Sequence, residues 1–152
     1  MSKYIHPITR EAAIEVASNL RPEDRREGEE GPGVASTTAL LDAVHKPSCV
    51  YFTVPNGKTA GMAGVDPGGQ IWMLCTNAIK ESPITFAREA KRYVERQPDK
   101  LLWNIVDKRN TVHLKLLKFL GFKFLRELKH GPNQLTFIEF CRVLRSPSKS
   151  SE

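Results

Sequence analysis

The segment LLWNIVDKRNTVHLKLLKFLGF, residues 101–122, contains the strongest structural pattern in the chain. Its opening six residues, LLWNIV, are apolar and rich in strand formers, which predicts a buried strand. Asn110 then opens a helix, and Gly121 predicts its end because glycine adopts left-handed C-cap geometry without a steric cost. One face of this helix is apolar at helical spacing; its residues are His113, Leu116, Leu117 and Leu120.

In the residues before this segment, the pattern of side chains has the two-residue period of β-strands. CVYFTV (49–54), TAGMAGV (59–65) and QIWMLCT (70–76) are separated by the turn sequences PNGK and DPGG, which predicts a three-stranded meander with the third strand at the centre of the sheet. Ser82 and Pro83 predict the start of a helix to about residue 96. Its inward face is predicted to hold Ile84, Ala87, Ala90 and Val94.

The N-terminal third predicts a strand and two helices. Residues 4–8 suit a short strand, and Thr9 is placed to cap a helix that extends to about residue 20. The expected inward residues of that helix are Ala13, Val16, Ala17 and Leu20. Residues 21–33, RPEDRREGEEGPG, predict a loop or a frayed helix extension outside the core. Residues 36–45 predict a second short helix, which Pro47 ends.

The C-terminal residues complete a mixed sheet. Residues 122–128 and 135–143 read as strands on either side of a turn at HGPN. The resulting order β-α-α-β-β-β-α-β-α-β-β predicts an α+β (mixed α/β) protein, with helices on both faces of a central mixed sheet. We expect a single domain over residues 1–145 and a flexible polar tail over residues 146–152.

Composition narrows the class of protein. The chain has 152 residues, of which 40% are hydrophobic and 26% charged, and no apolar run is long enough to predict a membrane span. The first residues lack the apolar core of a signal peptide, which predicts a cytosolic setting and not a secreted one. Cys49, Cys75 and Cys141 are scattered, so buried free thiols are expected. The four histidines show no metal-ligand spacing, which predicts no metal site.

Charge is distributed unevenly along the chain. The net charge is +6, with −2 on residues 1–75 and +8 on residues 76–152. A basic half can attract nucleic acid, an anionic cofactor or an acidic partner, although a solvated basic surface explains it equally well.

The strand-helix segment resembles the last such unit of the GCN5-related N-acetyltransferase (GNAT) family. The family motif Asn-x-x-Ala-x-x-Leu-Tyr-x-Lys-x-Gly-Phe aligns with Asn110 through Gly121 and Phe122, and the element order agrees as well. His113 stands at the alanine position and Leu117 at the tyrosine position. The resemblance implies that this tyrosine is a general acid, a role that leucine cannot fill because it carries no ionisable proton.

The turn before the preceding helix also departs from the family. A glycine-rich turn there binds the pyrophosphate of acetyl-CoA through backbone N–H groups and the helix N-terminus. This chain has TNAIKESP at residues 76–83, without glycine, and Glu81 and Pro83 are unfavourable for an anion. A plain strand-to-helix turn is therefore the preferred interpretation, and a modified CoA site is the alternative.

A closer resemblance is to the acetyltransferase-like internal virion protein A family of tailed podoviruses. It rests on Leu102-Trp103-Asn104, on Asn110-Thr111-Val112-His113, and on residues 131–135, GPNQL. The segment at residues 20–24, LRPED, is similar to one found in the wider group. The resemblance implies a phage protein of particle assembly or genome ejection, located in the virion interior or the infected-host cytoplasm. The implied partners are other virion or phage proteins, with packaged DNA as a further partner of the basic C-terminal half.

Two functional hypotheses follow from these residues. In the first, the protein is a catalytically degenerate acetyltransferase fold, with no cofactor and no catalytic residue. In the second, it is an active N-acetyltransferase that uses acetyl-CoA. Its candidate cofactor-binding residues would then be Leu74, Cys75, Thr76, Lys80 and Asn110.

Three of the candidate side chains keep simpler alternatives. Asn110 is preferred as a helix cap over a cofactor ligand, because capping needs no other assumption. His113 is preferred as a hydrogen-bonded core residue over a catalyst. Cys75 is preferred as an inert buried thiol over a nucleophile, because no base partner is visible in the sequence.

Overall fold

A computed structural model describes residues 2–30, residue 46 and residues 48–143. The strands are β1 (Ile5–Pro7), β2 (Val50–Thr53), β3 (Thr59–Asp66), β4 (Gln70–Cys75), β5 (Leu101–Asp107), β6 (Lys123–His130) and β7 (Leu135–Val143). The helices are α1 (Arg10–Ser18), α2 (Pro22–Glu30), α3 (Pro83–Glu95) and α4 (Thr111–Phe119), with a short 3-10 helix at Asn77–Lys80.

All seven strands form one mixed sheet in the order β1-β2-β3-β4-β5-β7-β6. β2, β3 and β4 make the predicted antiparallel meander, and β4 is the central strand. β4 and β5 are parallel, and β7 lies between β5 and β6 and is antiparallel to both. The predicted α+β class is therefore confirmed.

Helices cover both faces of the sheet because its central strands are apolar on both sides. On one face α1 packs on β3 and β4, in a cluster that includes Ala13, Val16, Met62, Trp72 and Leu74. On the other face α3 and α4 cover a larger cluster that includes Phe52, Phe86, Tyr93, Phe122 and Phe140.

The first helix begins as its sequence predicts. The Thr9 side chain accepts a hydrogen bond from the Ala12 backbone N–H at 3.1 Å, which satisfies one of the free donors of the first turn. The four residues predicted to face inward from this helix and its end are all buried.

The prediction for residues 21–33 was wrong where the structure describes them. Residues Pro22–Glu30 form α2, and Arg21 and Asp24 are each only 1% exposed. Pro22 at the first helical position and two acidic residues in the first turn favour a helix start, because they suit its geometry and dipole. The high charge of the segment concealed two side chains that are paired in the interior.

The predicted inward face of α3 was partly wrong. Ile84 is 72% exposed, whereas Phe86, Ala90 and Val94 are buried. Phe86 packs edge-on against Phe52 at 5.5 Å between ring centroids, and Tyr93 does so at 5.9 Å, so the buried face of the helix is the one that carries these two rings. Ser82 occupies the N-cap position but makes no side-chain capping bond.

Gly69 and Gly121 adopt left-handed backbone conformations at turns. Gly121 ends α4 with φ +91°, as predicted. Gly69 has φ +85°, and a Cβ atom added there would lie 2.0 Å from the Leu101 carbonyl oxygen. Gly69 therefore lets the β3–β4 turn approach the start of β5.

Two predicted segments, the helix at residues 36–45 and the tail at residues 146–152, lie outside the described residues. Within the described ranges, no helix has both the length and the apolar character needed to cross a membrane.

Candidate functional site

A gap opens between the parallel strands β4 and β5. Both strands lie wholly within the described residues, and they pair at a single position, Gln70 with Trp103. The Trp103 N–H donates to the Gly69 carbonyl at 3.0 Å. Beyond this rung the two strands diverge and no longer pair with each other.

Asn104 lies where the two strands begin to diverge. In a regular parallel ladder, the next hydrogen bond would join the Ile105 N–H to the Ile71 carbonyl. Its Nδ2 donates to that carbonyl at 2.7 Å, and its Oδ1 accepts from the Ile105 N–H at 2.7 Å. One side-chain amide therefore satisfies both backbone groups that the separation of the strands exposes. An unpaired buried backbone group is costly, so this amide stabilises the open gap.

The gap continues into a cavity of about 620 Å³, within the range of ligand pockets. Most of its lining is apolar and comes from β4, β5, α4 and β7. Representative lining residues are Ile71, Met73, Val106, Leu116, Leu117 and Phe140. His113 is one of the polar lining residues.

The opposite end of the gap, at the end of β4, is closed by the connection between α1 and α2. The Arg21 N–H donates to the Cys75 carbonyl at 2.9 Å, and the Cys75 N–H donates to Asp24 Oδ2 at 2.7 Å. Leu20 and Thr76 form an isolated antiparallel bridge. The connection thus takes the place of a neighbouring strand along the last residues of β4.

Buried polar side chains surround this closed end. Arg21 Nη1 lies 3.3 Å from Asp24 Oδ1, and Asn110 Nδ2 donates to the same oxygen at 3.2 Å. His113 Nε2 lies 3.6 Å from Asp24 Oδ1 and 3.7 Å from Cys75 Sγ. All five residues are at most 8% exposed. Burial, together with the nearby Asp24 charge, raises the pKa of the Cys75 thiol well above its ordinary value.

The predicted cofactor-binding residues on β4 are separated by this closure. Leu74 lines the cavity. The backbone of Cys75 is already hydrogen-bonded to Asp24 in α2 and to Arg21, the residue before that helix. Thr76 is 3% exposed, its hydroxyl donates to the Thr59 carbonyl at 2.8 Å, and it caps the 3-10 helix by accepting from the Ala78 N–H.

The two remaining candidates, Lys80 and Asn110, differ in exposure. Lys80 is exposed at the end of the 3-10 helix. The pKa of Glu23 is lowered first by a hydrogen bond to its own backbone, and the charge of Lys80 adds to this lowering, while desolvation opposes it. Asn110 is fully buried and occupies the N-cap position of α4 without a side-chain capping bond. The predicted N-cap position of Asn110 is therefore confirmed, but the expected side-chain capping bond is absent and its amide donates to Asp24.

The turn before α3 is built without a glycine-rich loop. Residues Asn77–Lys80 form the 3-10 helix, and Glu81 accepts hydrogen bonds from Asn56 Nδ2 at 2.6 Å and from Lys58 Nζ at 3.1 Å. Glu81 thus keeps its negative charge near the N-terminus of α3 and is balanced by a lysine from the β2–β3 turn. Pro83 gives that helix one N–H donor fewer.

Sequence reasoning missed Arg21, Asp24 and Asn104 as site residues. Asp24 was placed in a charged loop, although its position two residues after Pro22 is compatible with the first turn of a helix. Asn104 interrupts an otherwise apolar strand pattern, and a polar residue inside a buried strand is a detectable signal. Its bridging geometry depends on how far two strands separate, which no single strand encodes.

Solved structures of other proteins are similar to this chain in fold. Neither a protein-family model nor a curated protein matches the chain. A GNAT-family acetyltransferase from Bacillus cereus superposes with a TM-score of 0.68 at 12% identity, over 95% of this chain and 100% of that one. The protein yncA of Salmonella typhimurium, solved with its cofactor acetyl-CoA, gives 0.68 at 11% identity, over 95% and 96% of the two chains.

The fold is that of the GNAT acetyltransferases. The ribosomal-protein-S5-alanine acetyltransferase from Vibrio fischeri adds a TM-score of 0.63 at 14% identity, with 94% of each chain covered. The GNAT fold predicted from residues 110–122 and from the element order is thereby confirmed. The resemblance to the podovirus branch stays a prediction.

Proposed function

We propose that this protein uses the GNAT fold without acetyl-transfer chemistry, as a component of virus particle assembly or genome ejection. The closed end of β4 carries the first part of this proposal. The strand end that the active-enzyme hypothesis assigns to the pantetheine arm already has its Cys75 N–H and C=O bonded to Asp24 and Arg21.

Opening that end would disrupt a buried ion pair. A ligand amide that replaced Asp24 at Cys75 would leave Arg21 without its buried carboxylate partner, because Arg21 and Asp24 are each 1% exposed whereas Glu23, 3.4 Å from Arg21, is 40% exposed. Breaking a buried pair in this way costs about 3–5 kcal/mol. The interaction of a thioester arm with one strand end would have to exceed this cost.

Two further positions support the loss of acetyl-transfer chemistry. Leu117 lines the cavity and offers no proton to a departing thiolate. Glu81 keeps a negative charge beside the start of α3, where a pyrophosphate would need positive potential. These two positions are independent of the closure at Cys75.

A thermal-shift titration with acetyl-CoA tests this part of the proposal. We expect an unchanged unfolding midpoint, because only a ligand bound by the native state raises it by mass action. A saturable rise, together with one-to-one binding in calorimetry, would contradict the proposal. Lys80→Glu should abolish such a rise if Lys80 holds phosphate, whereas Lys123→Glu, on β6, is the matched charge control.

The particle role is supported by the sequence resemblance at residues 101–135 and by the basic half of the chain. Packaged DNA and other virion proteins are its proposed partners, and the virion interior or the infected-host cytoplasm its proposed location. Mass spectrometry of purified particles should detect the chain at a constant copy number. DNA binding through the basic half should weaken steeply as salt rises, and binding that is insensitive to salt would exclude a phosphate-contact mode.

An active N-acetyltransferase is the second candidate, favoured by the cavity between β4 and β5. Its volume suits a ligand, and yncA, which shares the fold, was solved with acetyl-CoA. In this case Leu74 would contact the pantetheine arm, and water would have to protonate the thiolate. Release of free thiol from acetyl-CoA with a panel of amines tests it, and release equal to the enzyme-free rate would exclude it.

A further inference from the structure

We propose that Asp24, Cys75 and His113 form a binding site for a divalent transition-metal ion, with zinc as the best match to their donor atoms. One carboxylate oxygen, one thiol sulfur and one imidazole nitrogen lie within 4.8 Å of one another. The three side chains come from α2, β4 and α4, which the sequence separates widely. A thiolate, an imidazole and a carboxylate are the ligand types that zinc prefers.

Two separations between donor atoms are compatible with a central ion, and the contact between Cys75 Sγ and His113 Nε2 is also within hydrogen-bonding range for sulfur. His113 Nε2 and Asp24 Oδ1 are 3.6 Å apart, which is too long for a hydrogen bond. A tetrahedral zinc ion with ordinary bond lengths has edges of about 3.4 Å between nitrogen and oxygen and about 3.6 Å between sulfur and nitrogen. The Cys75 Sγ to His113 Nε2 distance of 3.7 Å agrees with the second edge.

The neighbouring residues orient the carboxylate as outer-shell groups do in metal sites. Asn110 Nδ2 and Arg21 Nη1 both contact Asp24 Oδ1, and the Cys75 N–H fixes Oδ2. The Asp24 carboxylate and a Cys75 thiolate supply two negative charges, of which the Arg21 guanidinium, 3.3 Å from Asp24 Oδ1, already offsets one. On binding, the S–H bond of Cys75 breaks, the sulfur–metal bond forms and the proton passes to solvent.

Three protein donors leave one position of a tetrahedron for water or a small ligand. His113 is 8% exposed and lines the cavity in the β4–β5 gap. The proposed ion would therefore lie beside the cavity, where an exchangeable ligand has access to it.

Cobalt titration of the chelator-treated, metal-free protein tests the site, without acetyl-CoA in the assay. Co²⁺ should bind one-to-one and give thiolate-to-cobalt charge-transfer absorption with tetrahedral visible bands, and one equivalent of Zn²⁺ should remove the signal. Cys75→Ser should abolish the charge-transfer band. Cys49→Ser and Cys141→Ser are matched controls, because neither thiol belongs to the cluster, and both should keep the band.

A second ligand variant separates metal binding from misfolding. His113→Gln should weaken cobalt binding at least tenfold while its far-ultraviolet circular dichroism stays like that of the wild type. The proposal is overturned if the wild type shows no charge-transfer band at millimolar Co²⁺. It is equally overturned if the folded Cys75→Ser protein gives the same spectrum as Cys49→Ser. Both results are independent of whether acetyl-CoA binds.

Discussion

The two ends of the gap between β4 and β5 are stabilised in different ways. At the open end a single amide, Asn104, bridges two backbone groups. At the closed end Arg21 and Asp24, both buried, bond to the backbone of Cys75 and to each other. Strand separation can therefore be maintained by one neutral side chain, whereas closure here relies on a charged pair. The closed end should respond far more strongly to substitution.

Asp24→Ala should have the largest effect. It removes the buried partner of Arg21 and the acceptor of the Cys75 N–H, and we expect a loss of about 3–5 kcal/mol in the free energy of unfolding. Urea unfolding with an unchanged slope measures it. Glu23→Ala is the control, because its side chain is 40% exposed and also contacts Arg21. If the two variants lost equal stability, the closed end would not depend on the buried pair.

Asn104→Ala should have an intermediate effect. The Ile71 carbonyl and the Ile105 N–H lose their common partner, and we expect a loss of about 1–3 kcal/mol in the free energy of unfolding. Asn77→Ala, at an exposed position on the 3-10 helix, is the control. Hydrogen exchange at Ile105 should accelerate in Asn104→Ala, and unchanged exchange would show that the amide does not stabilise the open end.

Arg109→Met should have a smaller, pH-dependent effect at the end of β5. Burial raises the pKa of Asp107, but hydrogen bonds and charge from Arg109 outweigh it and lower the pKa below 3.8. A lowered folded-state pKa stabilises the protein above the unfolded value, and this stability is lost as pH falls through the folded value.

The Arg109 pair is partly exposed, so we expect the variant to lose only about 0.5–1 kcal/mol at pH 7. The difference from the wild type should shrink below about pH 4. Unfolding measured from pH 7 down to pH 3 checks this, and a difference that stays constant with pH would contradict it.

The effect on thiol labelling should be the smallest of these, but it should still distinguish Cys75, at the closed end of the gap, from Cys49. In metal-free protein, Cys141 is half-buried and should react first, while Cys49 and Cys75 are buried. Burial also raises the pKa of Cys49 to about 11, so its thiolate is scarce at neutral pH. In Asp24→Ala, Cys75 should become reactive and Cys49 should not. Equal protection of Cys75 in both proteins would show that α2 does not cover it.

Much of the fold could be predicted from the sequence, because local patterns determine it. The Thr9 cap, the meander and the stop at Gly121 each follow from residues close together in the chain. The inward face of α3 was mispredicted because it packs on Phe52 through Phe86 and Tyr93, and Phe52 lies far from the helix in sequence. An apolar residue near a helix start, such as Ile84, does not reveal which face the sheet will cover.

The candidate site was less predictable for the same physical reason. Leu117 and the glycine-free turn are visible in the sequence and remain informative. The cluster at Asp24, Cys75 and His113 depends on three elements meeting, and each residue alone has an ordinary explanation. Asp24 in particular lies in a segment whose net charge suggests solvent, although its partners are buried.

The position of β7 has a consequence for synthesis on the ribosome. β7 is the last described strand in chain order, yet it lies inside the sheet between β5 and β6. Until residues 135–143 leave the exit tunnel, the apolar strand β5 presents an open edge, and the nascent chain is exposed to wrong strand pairing. A slow codon or a stop within β7 should therefore produce aggregation of otherwise folded material, whereas a stop just after Val143 should not.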